Sequence, residues 1–174
     1  LLTHFDIKTP TKTYHHHSNE RIMREILDEL RIGKNIALVS DAGTPGISDP
    51  GNKLIDFLVK HADFEIEISP IPGASAVISA LSISGFATDK YVFMGFIPHK
   101  NKRKQFIQEI EDNKYTSVFF ESNHRIEKLL QEMPEIIQED RRICICRELT
   151  KKFETIYRGT VGGLSAMPVL PNGE

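Results

Sequence analysis

The order of helix-like and strand-like patterns predicts an α/β protein in two parts, a parallel-sheet domain over residues 1–89 and a mixed-sheet domain over residues 90–174. Up to Ser84, segments with strand patterning are each followed by a helical stripe, the alternation that builds a parallel sheet with helical crossovers. Beyond Lys90 the alternation continues, but it ends in two strands separated by a short polar turn, the connection of antiparallel neighbours.

Element by element, Ser18 is expected to cap a helix over 19–31. Ile22, Ile26, Leu27 and Leu30 share one face of it, and Gly33 closes it. Residues 35–40 form a short continuous apolar run, the pattern of a buried parallel strand. After a Gly/Pro loop, Asp49 as cap and Pro50 at the first turn predict a helix to about His61. A strand over 64–68, a turn over 70–73 and a helix over 74–84 complete the first part, and 85–90 reads as a linker. The second part reads as a strand over 91–96, a helix over 102–113, a strand over 115–120 and a helix over 123–133. Strands over 141–146 and 153–158 follow. There is no internal repeat, heptad pattern or low-complexity tract.

Composition excludes several classes. Apolar residues make up 40% and charged residues 26%, as in an ordinary globular protein. No apolar run approaches the roughly 20 residues a membrane-spanning helix needs, and no signal-peptide pattern opens the chain. The chain starts at Leu1-Leu2 without Met and reads as a fragment. Cys144 and Cys146, two apart on a predicted strand, share a face where bridging is geometrically poor, so a reduced, cytoplasmic protein is expected. The net charge of −2 is uneven: residues 1–89 carry 8 Lys and Arg against 12 Asp and Glu, residues 90–174 carry 14 against 12. That asymmetry hints at an anionic partner for the second part.

Chemistry is concentrated in two loops. In Ser40–Gly51, Gly43 and Gly46 permit conformations other residues resist and Pro45 freezes its neighbours, so backbone polar groups are open to a ligand. The loop lacks the Gly-Lys-Ser/Thr ending of a phosphate loop and is not the usual dinucleotide fingerprint. Asp41 there is either the side chain of an Asx turn or a ligand contact, while Asp49 is expected to cap. In Pro70–Val77, small residues at 73–76 leave room beside a helix N-terminus, for a polar ligand or for tight packing. His99–Lys104 places Lys100, Lys102, Arg103 and Lys104 at a helix start, where the helix dipole disfavours cations; phosphate binding explains them better than a solvated charged face. His15–His17 carry no ligand spacing, and no metal site is expected.

The segments Ser40–Gly51, Pro70-Ile-Pro-Gly-Ala, Glu121-Ser-Asn-His-Arg125 and Arg147-Glu-Leu-Thr-Lys151, with His17-Ser-Asn-Glu20 before them, resemble successive signatures of the small-subunit (16S) rRNA 2'-O-ribose methyltransferase I family. The similarity runs in order to about Val161. It implies the two-domain tetrapyrrole-methylase fold, with S-adenosyl-L-methionine folded between the domains. It implies cofactor contacts from Asp41, Gly43, Thr44, Pro45, Gly46, Ser75, Ala76, Phe120 and Cys146. Substrate contacts are implied for His17, Lys100, Lys102, Arg103, Lys104, His124 and Arg125, and Glu121, Arg147 and Glu148 are the catalytic candidates. The implied reaction is methylation of a cytidine ribose 2'-hydroxyl in small-subunit rRNA, on naked rRNA or the assembled subunit, by a cytoplasmic homodimer.

Removing the ribose proton calls for a base or for stabilisation of the developing oxyanion, and the residues do not choose among the candidates. The family's opening strand and Thr-Pro-Ile-Gly-Asn-type loop are absent here, and Gly173-Glu174 matches the pair that opens its last strand. Two other readings stand beside this one: a porphyrinoid C-methyltransferase of the same fold, and a non-catalytic RNA-binding relative.

Overall fold

A computed structural model describes residues 2–15 and 18–167; His17 and Gly173-Glu174 lie outside the described residues. The chain forms two compact units, Leu1–Gly73 and Ala74–Glu174.

In the first unit the helices α1 (Glu20–Arg31) and α2 (Asn52–His61) pack through Ile26, Leu27, Leu54, Phe57 and Leu58. The stripe expected on α1 is the buried one, with Ile22 and Leu30 packed at its margin. Its cap is Asn19 rather than Ser18: the Ile22 N–H donates to Asn19 Oδ1 at 3.3 Å, while Ser18 Oγ accepts from the His15 N–H at 2.8 Å. Gly33 closes the helix at φ 83°, donating to the Leu30 carbonyl as Lys34 donates to that of Glu29.

Asp49 does not cap α2. Gly51 holds that position without a side-chain cap, and its φ of 152° makes the final reversal beyond Pro50. A Cβ on Gly51 would stand 2.9 Å from Gly46 N and 2.9 Å from Leu38 Cδ2, so the loop is closed by a backbone approach only glycine allows. Residues 35–40 and 64–68, expected as strands, form no ladder. Phe64 and Ile66 pack on the helices, but Ile36, Val39 and Ile68 are exposed. An apolar run becomes a parallel strand only when flanking strands and both faces are supplied, and the described residues of this unit supply no flanking strand.

The second unit begins with α3 (Ala76–Ser84), ahead of the boundary expected near residue 89. Two arginines explain its allegiance: Arg158 donates to the Ile83 carbonyl at 2.5 Å and Arg142 to that of Gly85 at 3.0 Å, cations at a helix C-terminus. Strands β1 (Tyr91–Phe96) and β2 (Thr116–Phe120) are parallel, joined through α4 (Arg103–Asp112). Helix α5 (Asn123–Glu132) and a 3-10 turn (Met133–Glu135) lead to β3 (Arg142–Arg147). That strand pairs antiparallel with β4 (Thr155–Thr160), and α6 (Val161–Ser165) follows. The pairing expected on either side of the polar turn is present, with Cys144 opposite Arg158 and Ile145 opposite Tyr157. One core, centred on Ile97, Ile107, Leu129, Ile137 and Val161, packs α4, α5 and α6 on the strands.

Candidate functional site

Within the second unit a cavity of roughly 370 Å³ opens between α3, β2 and the end of β3. Its dimensions follow from the sequence of α3, where Ala76 and Ala80 present no bulk while Val77 and Leu81 are buried. Ala76, Phe120 and Cys146, three of the expected cofactor residues, line it together with all three catalytic candidates, Glu121, Arg147 and Glu148. Ser75 sits at the N-cap of α3, beside the lining, and makes no side-chain cap bond. Four segments far apart in the chain therefore meet on one small-ligand-sized space.

The candidates differ in freedom. The Glu121 side chain is 3% exposed and lies against two guanidinium groups, Arg103 Nη1 at 3.2 Å and Arg125 Nη2 at 2.6 Å. It also accepts from the Ser122 N–H at 2.6 Å. Glu148 is less confined: it accepts from Lys151 Nζ at 3.1 Å. Its backbone has φ 50° and that of Thr150 φ 65°, so the turn after β3 places two non-glycine residues in the left-handed region at the rim of the cavity. Such strain gathers at working sites. Arg147 ends β3, half-buried.

Cys144 and Cys146 face the same way, as alternation requires, with their sulfurs 3.7 Å apart and unbridged. Burial, reinforced by Cys144, pushes the Cys146 thiol up to about 11, so it presents a neutral sulfur near pH 7.

The residues expected to bind substrate divide. Lys100, Lys102 and Lys104 are exposed; Lys104 Nζ stands 3.6 Å from Glu135 on the surface. Arg103 is not the surface cation expected: it is buried, 6% exposed, and holds Glu132 at 2.5 Å, Glu121 at 3.2 Å and the Pro98 carbonyl at 3.3 Å. Burial pulls its pKa down, and the hydrogen bonds with Glu132 and Glu121 more than reverse that, leaving it raised. Arg125 is likewise turned inward, to Glu121, Ser122 Oγ and the Ile97 carbonyl, whereas His124 is exposed.

In the first unit, Asp41 and Thr44 are exposed, and Gly43 and Gly46 take φ of 69° and 86°. Among the described residues no hydrogen bond reaches the Asp41 carboxylate. The turn is made by Ser40 Oγ donating to the Ala42 carbonyl at 3.2 Å and by the Ile47 N–H donating to Thr44, so the Asx role for Asp41 falls away.

Two features escaped sequence reading. Tyr157, which pairs opposite Ile145, reaches the cavity lining with its hydroxyl buried and without a hydrogen-bond partner among the described residues. The burial of Arg103 had a signal: with Phe106, Ile107 and Ile110 it occupies i, i+3, i+4 and i+7, the apolar stripe of α4.

A cavity at a helix start, roofed by strand ends and rimmed by carboxylate and guanidinium groups, defines a small-ligand site in a two-sheet α/β unit. Residues 2–165 match the Tetrapyrrole (Corrin/Porphyrin) Methylases, and the chain belongs to that family. Its similar relatives include the Ribosomal RNA small subunit methyltransferase I of Synechocystis sp., 44% identical over 92% of this chain and 57% of the relative. The proteins of the same name from Halalkalibacterium halodurans (44% identical, 92% and 55%) and Vibrio cholerae (45%, 90% and 54%) are equally similar. The chain thus spans about half the length of these relatives.

Proposed function

We propose that the chain is the larger part of the machinery of an S-adenosylmethionine-dependent methyltransferase that modifies a cytidine ribose 2'-hydroxyl in small-subunit rRNA, in the cytoplasm and as a homodimer. The single observation that carries this reading is the convergence of Ala76, Phe120, Cys146, Glu121, Arg147 and Glu148 on one cavity, in a chain whose relatives bear the rRNA methyltransferase name.

The residues suit the cofactor. A volume of roughly 370 Å³ falls in the ~300–1,000 Å³ range of small-molecule sites. Ala76 and Ala80 leave space for a flat ring, Phe120 offers an aromatic face, and a neutral Cys146 presents no charge to a cationic sulfur. When bound, the cofactor supplies an electrophilic methyl group on a sulfonium. Ser75, at the N-cap of α3 beside this cavity, belongs to the proposed cofactor surface, and Asp41, Gly43, Thr44, Pro45 and Gly46 are proposed as cofactor contacts from the first unit.

Orientation of the ribose hydroxyl supplies much of the rate of an in-line displacement. Glu148 is the group proposed to take the hydroxyl proton, because its carboxylate accepts from Lys151 and is not clamped by two buried guanidinium groups as Glu121 is, and Arg147 beside it would stabilise the developing oxygen charge. Glu121, engaged by two arginines, serves the wall and not proton transfer. Lys100, Lys102 and Lys104 would neutralise RNA phosphates, with His124 on the exposed start of α5 as a further contact.

The test is calorimetry of the intact protein with S-adenosylhomocysteine, followed by mapping of methylation on naked rRNA and on assembled small subunits. Binding together with a single modified ribose is expected. Binding without RNA methylation would move the substrate elsewhere, and absence of cofactor binding would end the reading.

A further inference from the structure

The basic run His99–Lys104 contains a residue of a different kind from its neighbours. The chain enters α4 through Lys102, whose φ of 65° is left-handed, and Arg103 follows as the first helical residue on the apolar face with Phe106, Ile107 and Ile110. Three neighbouring lysines remain in solvent; Arg103 does not.

Its guanidinium ties together the ends of three different elements. Nε donates to Glu132 at the end of α5, Nη1 to Glu121 just past β2, and Nη1 also to the Pro98 carbonyl beyond β1. Glu121 is in turn gripped from its other oxygen by Arg125 and the Ser122 N–H. Two arginines thus face two glutamates, with Arg103 and Glu121 buried, Arg125 and Glu132 partly exposed, and Lys128 3.7 Å from Glu132 at the edge. Glu121 is also part of the cavity wall, and Phe120 before it and Asn123 two residues beyond it line the same space. The β2–α5 junction therefore has its shape set from behind, by a side chain that never enters the cavity.

We infer that Arg103 is a positioning residue: acting through Glu121, it holds the Phe120–Asn123 wall in the form that receives the cofactor. This rests on the proposed adenosyl site. A lysine cannot replace it, since one ammonium on a flexible stem lacks the planar fork that spans both carboxylates.

The experiment uses the intact protein and S-adenosylhomocysteine as probe, with Arg103→Lys, Arg103→Gln, Glu121→Gln and the Arg103→Gln/Glu121→Gln double variant. Calorimetry is run well below each melting temperature, and RNA filter binding is measured in parallel over a range of salt. Arg103→Lys is expected to fold and to weaken cofactor binding about tenfold, the loss of one charge-assisted hydrogen bond. RNA affinity and its salt slope stay unchanged, and Arg103→Gln adds nothing in the Glu121→Gln background. A folded Arg103→Lys with the parent's cofactor affinity would overturn the inference. Additive losses in the double variant would do so too, since Arg103 would then not act through Glu121. A reduced salt slope would make Arg103 a phosphate contact and equally sink it. Should the Arg103 variants fail to fold, Glu132→Gln frees one side of the guanidinium and leaves Arg125 on Glu121. Weakening of about threefold is then expected, and unchanged affinity refutes the role. Failure of the parent itself to bind overturns the adenosyl-site reading, and with it any positioning for that ligand.

Discussion

Every stretch of the second unit that reads as a strand pairs with a neighbour, whereas in the first unit neither 35–40 nor 64–68 does. The patterns are equally good: Asn35–Ser40 is as apolar as Tyr91–Phe96. What differs is company. Tyr91–Phe96 runs alongside Thr116–Phe120 over a core that includes Ile97, Phe106 and Ile107. Ile36 and Val39 face solvent with only the two-helix core nearby. A strand is a relation between segments, and local pattern states only readiness for it.

Five substitutions would break or sharpen that contrast. The largest effect is expected at Ile107, which has no exposed surface. Ile107→Ala should cost about 2–5 kcal/mol in a denaturant titration and should release the second unit's strands together, by the transfer and cavity costs of a closed core. Loss confined to α4 would mean the second unit lacks a common core.

Alkaline pH provides the next test. The Cys146 pKa is raised from 9.0 to about 11, so the unfolded chain ionises this thiol first; the stability it contributes is present below pH 9 and is lost as pH rises toward 11. Cys146→Ala should flatten the decline in that window while leaving stability at pH 7 to 8 with an unchanged pH slope. A parent protein equally stable at pH 8 and 11 would show that the β3–β4 face is wetter than the structure has it.

In the first unit, Asn19→Ala should cost about 1 kcal/mol and shorten α1 by its first turn, readable as lost amide protection at Ile22. Ser18→Ala should then be nearly silent for the helix; the reverse order would restore Ser18 as the cap. The smallest effect is expected from Val39→Ser, within about 0.5 kcal/mol for an exposed position. A cost of several times that would show residues 35–40 to be covered in the intact protein.

Legibility followed range. The stripe of α1, the span of α4 and all four strands of the second unit were readable within a few residues, because periodicities of 3.6 and 2 are written locally. The start of α2 was misread for a related reason: Asp49-Pro50 is a sound local signal, but the close approach of Gly51 to Gly46 and Leu38 moved the start onward. At the site, three of the nine expected cofactor residues and all three catalytic candidates share the cavity. Arg103 was assigned to the surface because its neighbours are lysines, although its partners stand 18 and 29 residues away.

By itself the sequence determined which faces of the helices are apolar, where β1 to β4 run, and that Cys144 and Cys146 look the same way. Each of these depends on neighbours a turn or a pleat away. Tertiary structure alone decided that α3 joins the second unit, that the buried Arg103 meets Glu121 and Glu132, and that Glu121 is held by two arginines while Glu148 accepts from Lys151. Ion pairing depends on what the folded chain brings opposite a side chain, and local periodicity carries no record of those partners.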